Sequence, residues 1–394
     1  MKDGIGKQLT VSVIVCAGAS FTSCSAYDAI TIARSGSIDQ GVKAVLRQKG
    51  ASYAHNPYQL VQDVKRGQQQ FRQLVSFLRR QVGGEWGDKE ILVPSRTRYV
   101  KYTHNYKSRA VVDFDAGTIK VETLDQDETS LRNAIVTTLL TPDDPRSVDL
   151  YSDKTIRLSG QPYLYGLVVD QHGRPIDRSG RAEAYADFLL LNKRERQIQT
   201  PQGPKIARSV EFNMISDREQ KQAQRYASYV ERYADEHDVS KSLVYAVIKT
   251  ESNFNPFAVS VAPAYGLMQL VPASGGREAY RAVNGSDKIP SREYLFDAEK
   301  NIELGTAYLG IINHRYLADI QNPTSREYCT IASYNGGAGN VLRLFSADRR
   351  RAFKLINSMS APDVYRKLRD EYPRGETRRY LVKVLDARRD FVNI

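Results

Sequence analysis

Glu251 is the residue whose type and position could do acid–base chemistry. It closes a run that starts at Ser240, a good helix N-cap, and continues through Leu243, Val244, Val247 and Ile248, the apolar face of a helix. Standing four residues beyond Val247 and three beyond Ile248, Glu251 continues that same face. A carboxylate so placed is partly desolvated, which disfavours its charged form and raises its pKa. The negative end of the helix dipole pushes the same way, and Asn253-Phe254-Asn255-Pro256 ends the helix just after it. A carboxylic acid kept protonated near neutral pH suits a general acid. On this helix alone, a glutamate reaching to solvent from a helix terminus is the commoner arrangement.

Three further segments change that weighting. Ala264-Tyr265-Gly266-Leu267-Met268-Gln269-Leu270-Val271-Pro272 brackets a short turn that presents an amide side chain. Ile331-Ala332-Ser333-Tyr334-Asn335-Gly336-Gly337-Ala338-Gly339 reads as a helix ending in a Gly-rich loop. Neither a preceding strand nor a following Lys-Ser/Thr supports phosphate binding there. Tyr334 and Asn335 suit a sugar, offering an apolar ring and paired donors and acceptors. The third segment is Glu376-Thr377-Arg378-Arg379-Tyr380-Leu381.

The elements around these segments fall into two groups. A long helix is expected from Tyr58 to Val82, closed by Gly83-Gly84. The period then changes to two. Tyr99, Val100 and Tyr102 read as a strand, and Val112 and Phe114 against Ile119 and Val121 as a hairpin turning at Asp115-Ala116-Gly117. A helix near 131–140, a strand over Tyr163–Val169, a helix over Ala182–Leu191 and an alternating run Val210, Phe212, Met214 complete an α+β domain, 57–215. From Asp217 strand signals nearly vanish. Helical patterns near 226–233, 240–252, 299–317, 325–334 and 376–390 describe an all-α domain, 216–394.

Residues 1–24 carry Lys2 and Lys7 and then an apolar stretch too short to span a bilayer, as in an export signal. It ends Phe21-Thr22-Ser23-Cys24, which is a lipoprotein box with Cys24 as the lipidated residue, part of an ordinary secretory signal, or a frayed N-terminal strand. If it is a lipoprotein box, Ser25 after the cysteine points to the outer membrane. Residues 25–56 read as a polar tether with one short helix. The remaining cysteine, Cys329, has apolar neighbours that suggest an inert buried thiol. Three cysteines and five scattered histidines form no metal-binding pattern, so no metal and no cofactor is expected. The chain has 394 residues, 57 basic and 45 acidic, for a net charge of +12. That favours an anionic partner. A nucleic-acid binder would rest on charge alone, without a reading motif, so none is expected as a partner.

The four segments, in this order and spacing, resemble the catalytic domain of the soluble lytic transglycosylases. The front half resembles the N-terminal domain of the membrane-bound lytic murein transglycosylase C family, through Tyr99-Val100-Lys101-Tyr102 and the run from Asp143 to Asp153. The resemblance implies a goose-type-lysozyme-like helical fold and non-hydrolytic cleavage of the MurNAc-β-1,4-GlcNAc bond of peptidoglycan strands, leaving 1,6-anhydroMurNAc ends. It implies Glu251 as the single catalytic acid/base, Ser260 and Gln269 as groups holding the glycan, and Met268 as an apolar wall of the cleft. Tyr334 is implied as a phenol near the acid, and Asn335, Glu376 and Tyr380 as further substrate contacts. For Glu376 an ion pair with a nearby arginine is an equal alternative. It also implies an outer-membrane lipoprotein facing the periplasm through Cys24. Leu381 departs from the valine common in the last motif. Competing readings are a lysozyme-like muramidase, with an acid from Asp297 or Glu278 positioning water, and a non-catalytic wall-binding scaffold.

Overall fold

The structure, a computed structural model, describes residues 57–260 and 264–392. The expected leader 1–24 with Cys24, and the tether 25–56, lie outside the described residues. No helix among the described residues is long and apolar enough to cross a membrane.

The first helix, α1 (Pro57–Trp86), passes through the two glycines expected to close it. Tertiary contacts override the weak glycine signal. Trp86 is fully buried, its Nε1–H donates to the Tyr106 carbonyl at 2.7 Å, and the Arg109 guanidinium lies 3.9 Å above its ring. The chain leaves the helix at Gly87, with φ of +85°. A Cβ there would come within 2.3 Å of the Gln199 carbonyl oxygen, so only glycine fits.

The sheet contains β1 (Arg98–Thr103), β2 (Ser108–Asp113), β3 (Thr118–Thr123), β4 (Arg194–Thr200) and β5 (Gly203–Asn213), in the order β1-β2-β3-β5-β4 with antiparallel neighbours. Its register lines up Tyr99, Val112, Ile119 and Phe212 as one buried row. On the other face, the cross-strand pair Arg109–Glu122 is buried and joined to Glu90 and Arg196. Strand β4 carries no apolar alternation: it reads Arg-Glu-Arg-Gln-Ile-Gln-Thr and buries only Ile198 and Thr200. The strand expected over Tyr163–Val169 is instead a series of turns. Gly166 sits at φ +73° and the Tyr163 N–H goes to the Thr141 carbonyl rather than to a ladder. The helices α2 (Glu128–Leu139) and α3 (Ser179–Leu190) complete this α+β half.

The second half is helical: α4 (Arg218–Arg225), α5 (Ala227–Glu236), α6 (Lys241–Ser252), α7 (Arg277–Asn284), α8 (Arg292–Phe296), α9 (Ala298–Ile311), α10 (Pro323–Gly336), α11 (Ala338–Phe345), α12 (Arg349–Ser358), α13 (Ala361–Glu371) and α14 (Gly375–Arg388). Helix α6 packs between α5 and α14, and every residue from Leu243 to Ile248 is buried. Cys329 is fully buried and burial pushes its thiol pKa up, as its neighbours suggested.

The two halves do not keep separate cores. Phe257, Val259 and Phe296 from the helical half pack into the core of the α+β half. Phe257 lies edge-on to Tyr99 at 4.9 Å and to Tyr163 at 5.0 Å between ring centroids. Asn253 Nδ2 donates to the Phe114 carbonyl at 2.8 Å, so the loop after α6 is also hydrogen-bonded to the sheet half. Truncating Phe257 to Ala should therefore cost about 3–5 kcal/mol, read by urea unfolding with a probe in the α+β half. A loss below about 0.5 kcal/mol, the level of an ordinary surface substitution, would show that the ring is not a shared core element.

Candidate active site

Between the two halves runs a cavity of about 1430 Å³. That exceeds the usual size of a small-molecule pocket and suits a segment of polymer. One wall comes from α1, through Phe71, Arg72, Val75 and Arg79, and from the segment Val93–Thr97 ahead of β1. The other wall carries Glu251, Ser260, Gln269, Tyr334, Asn335 and Glu376.

Glu251 sits in the last turn of α6 and is only 6% exposed. The helix stops at Asn253, a left-handed residue with φ of 47°, whose N–H returns to the Lys249 carbonyl. Ser252 Oγ ties this turn down, contacting the Ile248 carbonyl at 3.0 Å and the Leu267 carbonyl at 2.8 Å. Burial pushes the Glu251 carboxyl up to about 7. The Arg96 guanidinium and the Tyr380 hydroxyl pull it back down, while the negative charge of Glu376 adds to the rise. Arg96 Nη1 donates to Glu251 Oε2 at 3.3 Å. Tyr380 is buried behind Glu251, and its hydroxyl lies near the carboxylate without completing a hydrogen bond to any described residue.

The turn holding Gln269 is built around the fully buried Asn301. Its Nδ2 donates to the Tyr265 and Leu295 carbonyls at 2.9 and 2.8 Å, and its Oδ1 accepts the Met268 N–H at 2.8 Å. Gly266 is required: at φ +75° its Cβ would lie 2.4 Å from the Leu295 oxygen. Gln269 Nε2 donates to the Ala258 and Gly266 carbonyls, both at 3.0 Å, and Oε1 is buried without a partner among the described residues. A buried acceptor left open in a groove invites a ligand N–H or O–H. Ser260 Oγ accepts the Ala264 N–H at 3.3 Å on the same wall.

Tyr334 donates to the Met268 carbonyl at 3.0 Å, and the nearby Glu251 charge adds to the burial that raises its phenol pKa. Asn335 Oδ1 accepts from Thr377 Oγ at 2.7 Å, locking the end of α10 to the start of α14, where Glu376 faces the cavity. Met268 does not form a wall of the cleft. Its side chain is fully buried, with the sulfur filling the space over Gly305, and its contribution is the backbone that receives Tyr334. Neither alternative acid lines the cavity: Asp297 caps α9 and pairs with Arg146 at 3.0 Å, and Glu278 receives the Tyr316 hydroxyl. Arg96 is invisible to sequence pattern. A single arginine before a strand, 155 residues from its partner, carries no local signal. Among the described residues no group of His, Cys, Asp or Glu could hold a metal ion.

Residues 64–226 match the family described as "Membrane-bound lytic murein transglycosylase C, N-terminal domain", and residues 228–357 match the "Transglycosylase SLT domain". The chain is similar to the membrane-bound lytic murein transglycosylase C of Yersinia enterocolitica, with 46% identity over 78% of this chain and 85% of that protein. It is similar to the protein of the same name from Salmonella arizonae, with 47% identity over the same shares. A solved structure of the lytic transglycosylase Slt from Pseudomonas aeruginosa, an inactive mutant, matches at 27% identity with a TM-score of 0.32. It covers 41% of this chain, which spans 23% of that one.

The raised carboxyl has a stability consequence. The folded chain binds a proton on Glu251 that the unfolded chain releases near 4.5, so this stabilisation is full below about 4.5 and is lost as pH rises through about 7. Glu251→Gln removes the penalty. The variant should gain about 1–3 kcal/mol over the wild type on going from acid to alkaline pH, read by denaturant unfolding at both. A stability difference that does not vary with pH would contradict the raised carboxyl.

Proposed function

Because the chain belongs to the membrane-bound lytic murein transglycosylase C family, we propose that Glu251 alone carries both proton transfers of murein cleavage. The chain is a lytic transglycosylase of peptidoglycan, and what needs explaining is how one carboxyl suffices where most glycosidases use two.

The observation that supports this reading is the buried carboxyl poised at about 7 on the wall of a polymer-sized groove. Protonated, Glu251 donates its proton to the oxygen leaving from C1 of MurNAc, and the C1–O bond breaks. The substrate's own N-acetyl oxygen stabilises the cation at C1, so no enzyme nucleophile is needed. The carboxylate then takes the proton from the C6 hydroxyl, and O6 bonds to C1 as a 1,6-anhydro end. Protons balance and no water is consumed. A group that must give and then take a proton works best with a pKa between the two demands.

Gln269, with its open Oε1, suits the N–H of an N-acetyl group, and Ser260 beside it suits a sugar hydroxyl. Tyr334, Asn335 and Glu376 line the groove beside the acid and would hold the sugar against it, while Tyr380, which does not line the groove, would act on the carboxyl alone. The arginines of α1 face the same groove, where the peptide carboxylates of murein would meet positive charge. Cys24 would anchor the chain by lipid to the outer membrane, facing the periplasm, in keeping with the membrane-bound relatives. A hydrolytic reading keeps one observation in its favour: of the other carboxylates lining the cavity (Asp115, Glu376, Asp386 and Asp390), Glu376 lies close enough to act on Glu251.

Digestion of purified sacculi separates the readings. The expected soluble muropeptides are lighter by one water than hydrolysis products, and hydrated reducing ends would instead establish a muramidase. Glu251→Gln should fold and lose at least about a thousandfold in turnover, as loss of an essential acid–base group and its proton chemistry does. Turnover near wild type would reject the assignment.

A further inference from the structure

Arg96 is the described cation hydrogen-bonded to Glu251, and it comes from the other half of the molecule. Two features hold it there. Its own carbonyl accepts from Asn255 Nδ2 at 2.9 Å, in the loop directly after α6. Its side chain then reaches back to place Nη1 3.3 Å from Glu251 Oε2, with 42% of the arginine side chain still exposed to the groove. The backbone anchor does not depend on the side chain, so the guanidinium can be replaced without undocking the segment.

A guanidinium N–H can only donate. The oxygen it faces, Oε2, must therefore accept, and in the acid form the proton is left to Oε1. The other charged or titratable groups around Glu251 are Tyr380 and Glu376 from α14 and Tyr334 from α10. Of these, Glu376 opposes the carboxylate and Tyr380 offers it a neutral hydroxyl. Arg96 alone among them brings positive charge.

We infer that Arg96 is a positioning residue acting through Glu251. By donating to Oε2 it holds the transferable proton on Oε1 and steadies the carboxylate left after that proton departs, so the α+β domain completes the active site. This rests on Glu251 being the acid/base. Without the guanidinium, the proton can settle on either oxygen and the carboxylate formed in the first step loses its counter-charge. The step slows, while the rest of the groove lining is unchanged.

The test uses the full chain and three variants, Arg96→Ala, Arg96→Gln (which keeps N–H donors without the charge) and Arg96→Lys (which keeps the charge). Release of soluble muropeptides from sacculi is followed against pH and substrate concentration, with Glu251→Gln in parallel. The Ala and Gln variants should lose roughly tenfold or more in kcat with apparent KM within about a factor of two. Their falling alkaline limb should move up by roughly one pH unit, because an opposing positive charge has been removed. Lys should restore most of the limb position. If Ala and Gln keep the wild-type limb, whether or not kcat falls, Arg96 does not act through Glu251 and the inference is overturned. An inactive Glu251→Gln beside Arg96 variants that behave like wild type defeats only this inference, whereas an active Glu251→Gln defeats the reading it rests on.

Discussion

The structure depends on the desolvation of one carboxyl. Putting Glu251 on the buried face of α6 raises its proton affinity far enough for it to keep a proton near neutral pH, as the proposed acid must. Left there unopposed it would hold its proton too tightly to give it up to a leaving oxygen. Arg96 and Tyr380 lower it, Glu376 raises it, and the balance lies at about 7. These groups come from a segment ahead of the sheet and from α14, so the balance is a property of the assembled chain and not of any one motif.

The α+β half is consequently more than an appendage to a catalytic domain. The loop after α6 sends Phe257 into an aromatic cluster with Tyr99 and Tyr163, and Asn253 and Asn255 donate to carbonyls of the sheet half. The same few residues that end α6 fix the orientation of the two halves. Arg146 on Asp297 adds a further tie across the junction. A groove whose walls belong to different domains keeps its width only if such contacts are stiff, and a buried aromatic cluster supplies that stiffness.

Much of this was legible in the residues. The apolar spacing of α6 places Glu251 inward, and Gly266 marks the turn that carries Gln269, because each answers a local geometric demand. The hairpin and the change from period two to helical period also follow from pattern alone. What pattern could not show was set by tertiary contacts. Trp86 draws α1 past two glycines, charged β4 joins the sheet by its backbone, and Gly166 breaks up an apolar run that reads as a strand. Met268 looked like a cleft wall but its side chain fills the space over Gly305, a long-range fit that its neighbours in sequence do not encode. Arg96 is the extreme case, since its meaning exists only once two domains have docked.

The most direct measurement is the titration of Glu251 itself, by carbon-detected NMR of its side-chain carboxyl in the intact chain. The account predicts a midpoint at about 7. A midpoint in the ordinary glutamate range, near about 4.3, would mean a carboxyl already ionised at neutral pH and unable to give up the first proton.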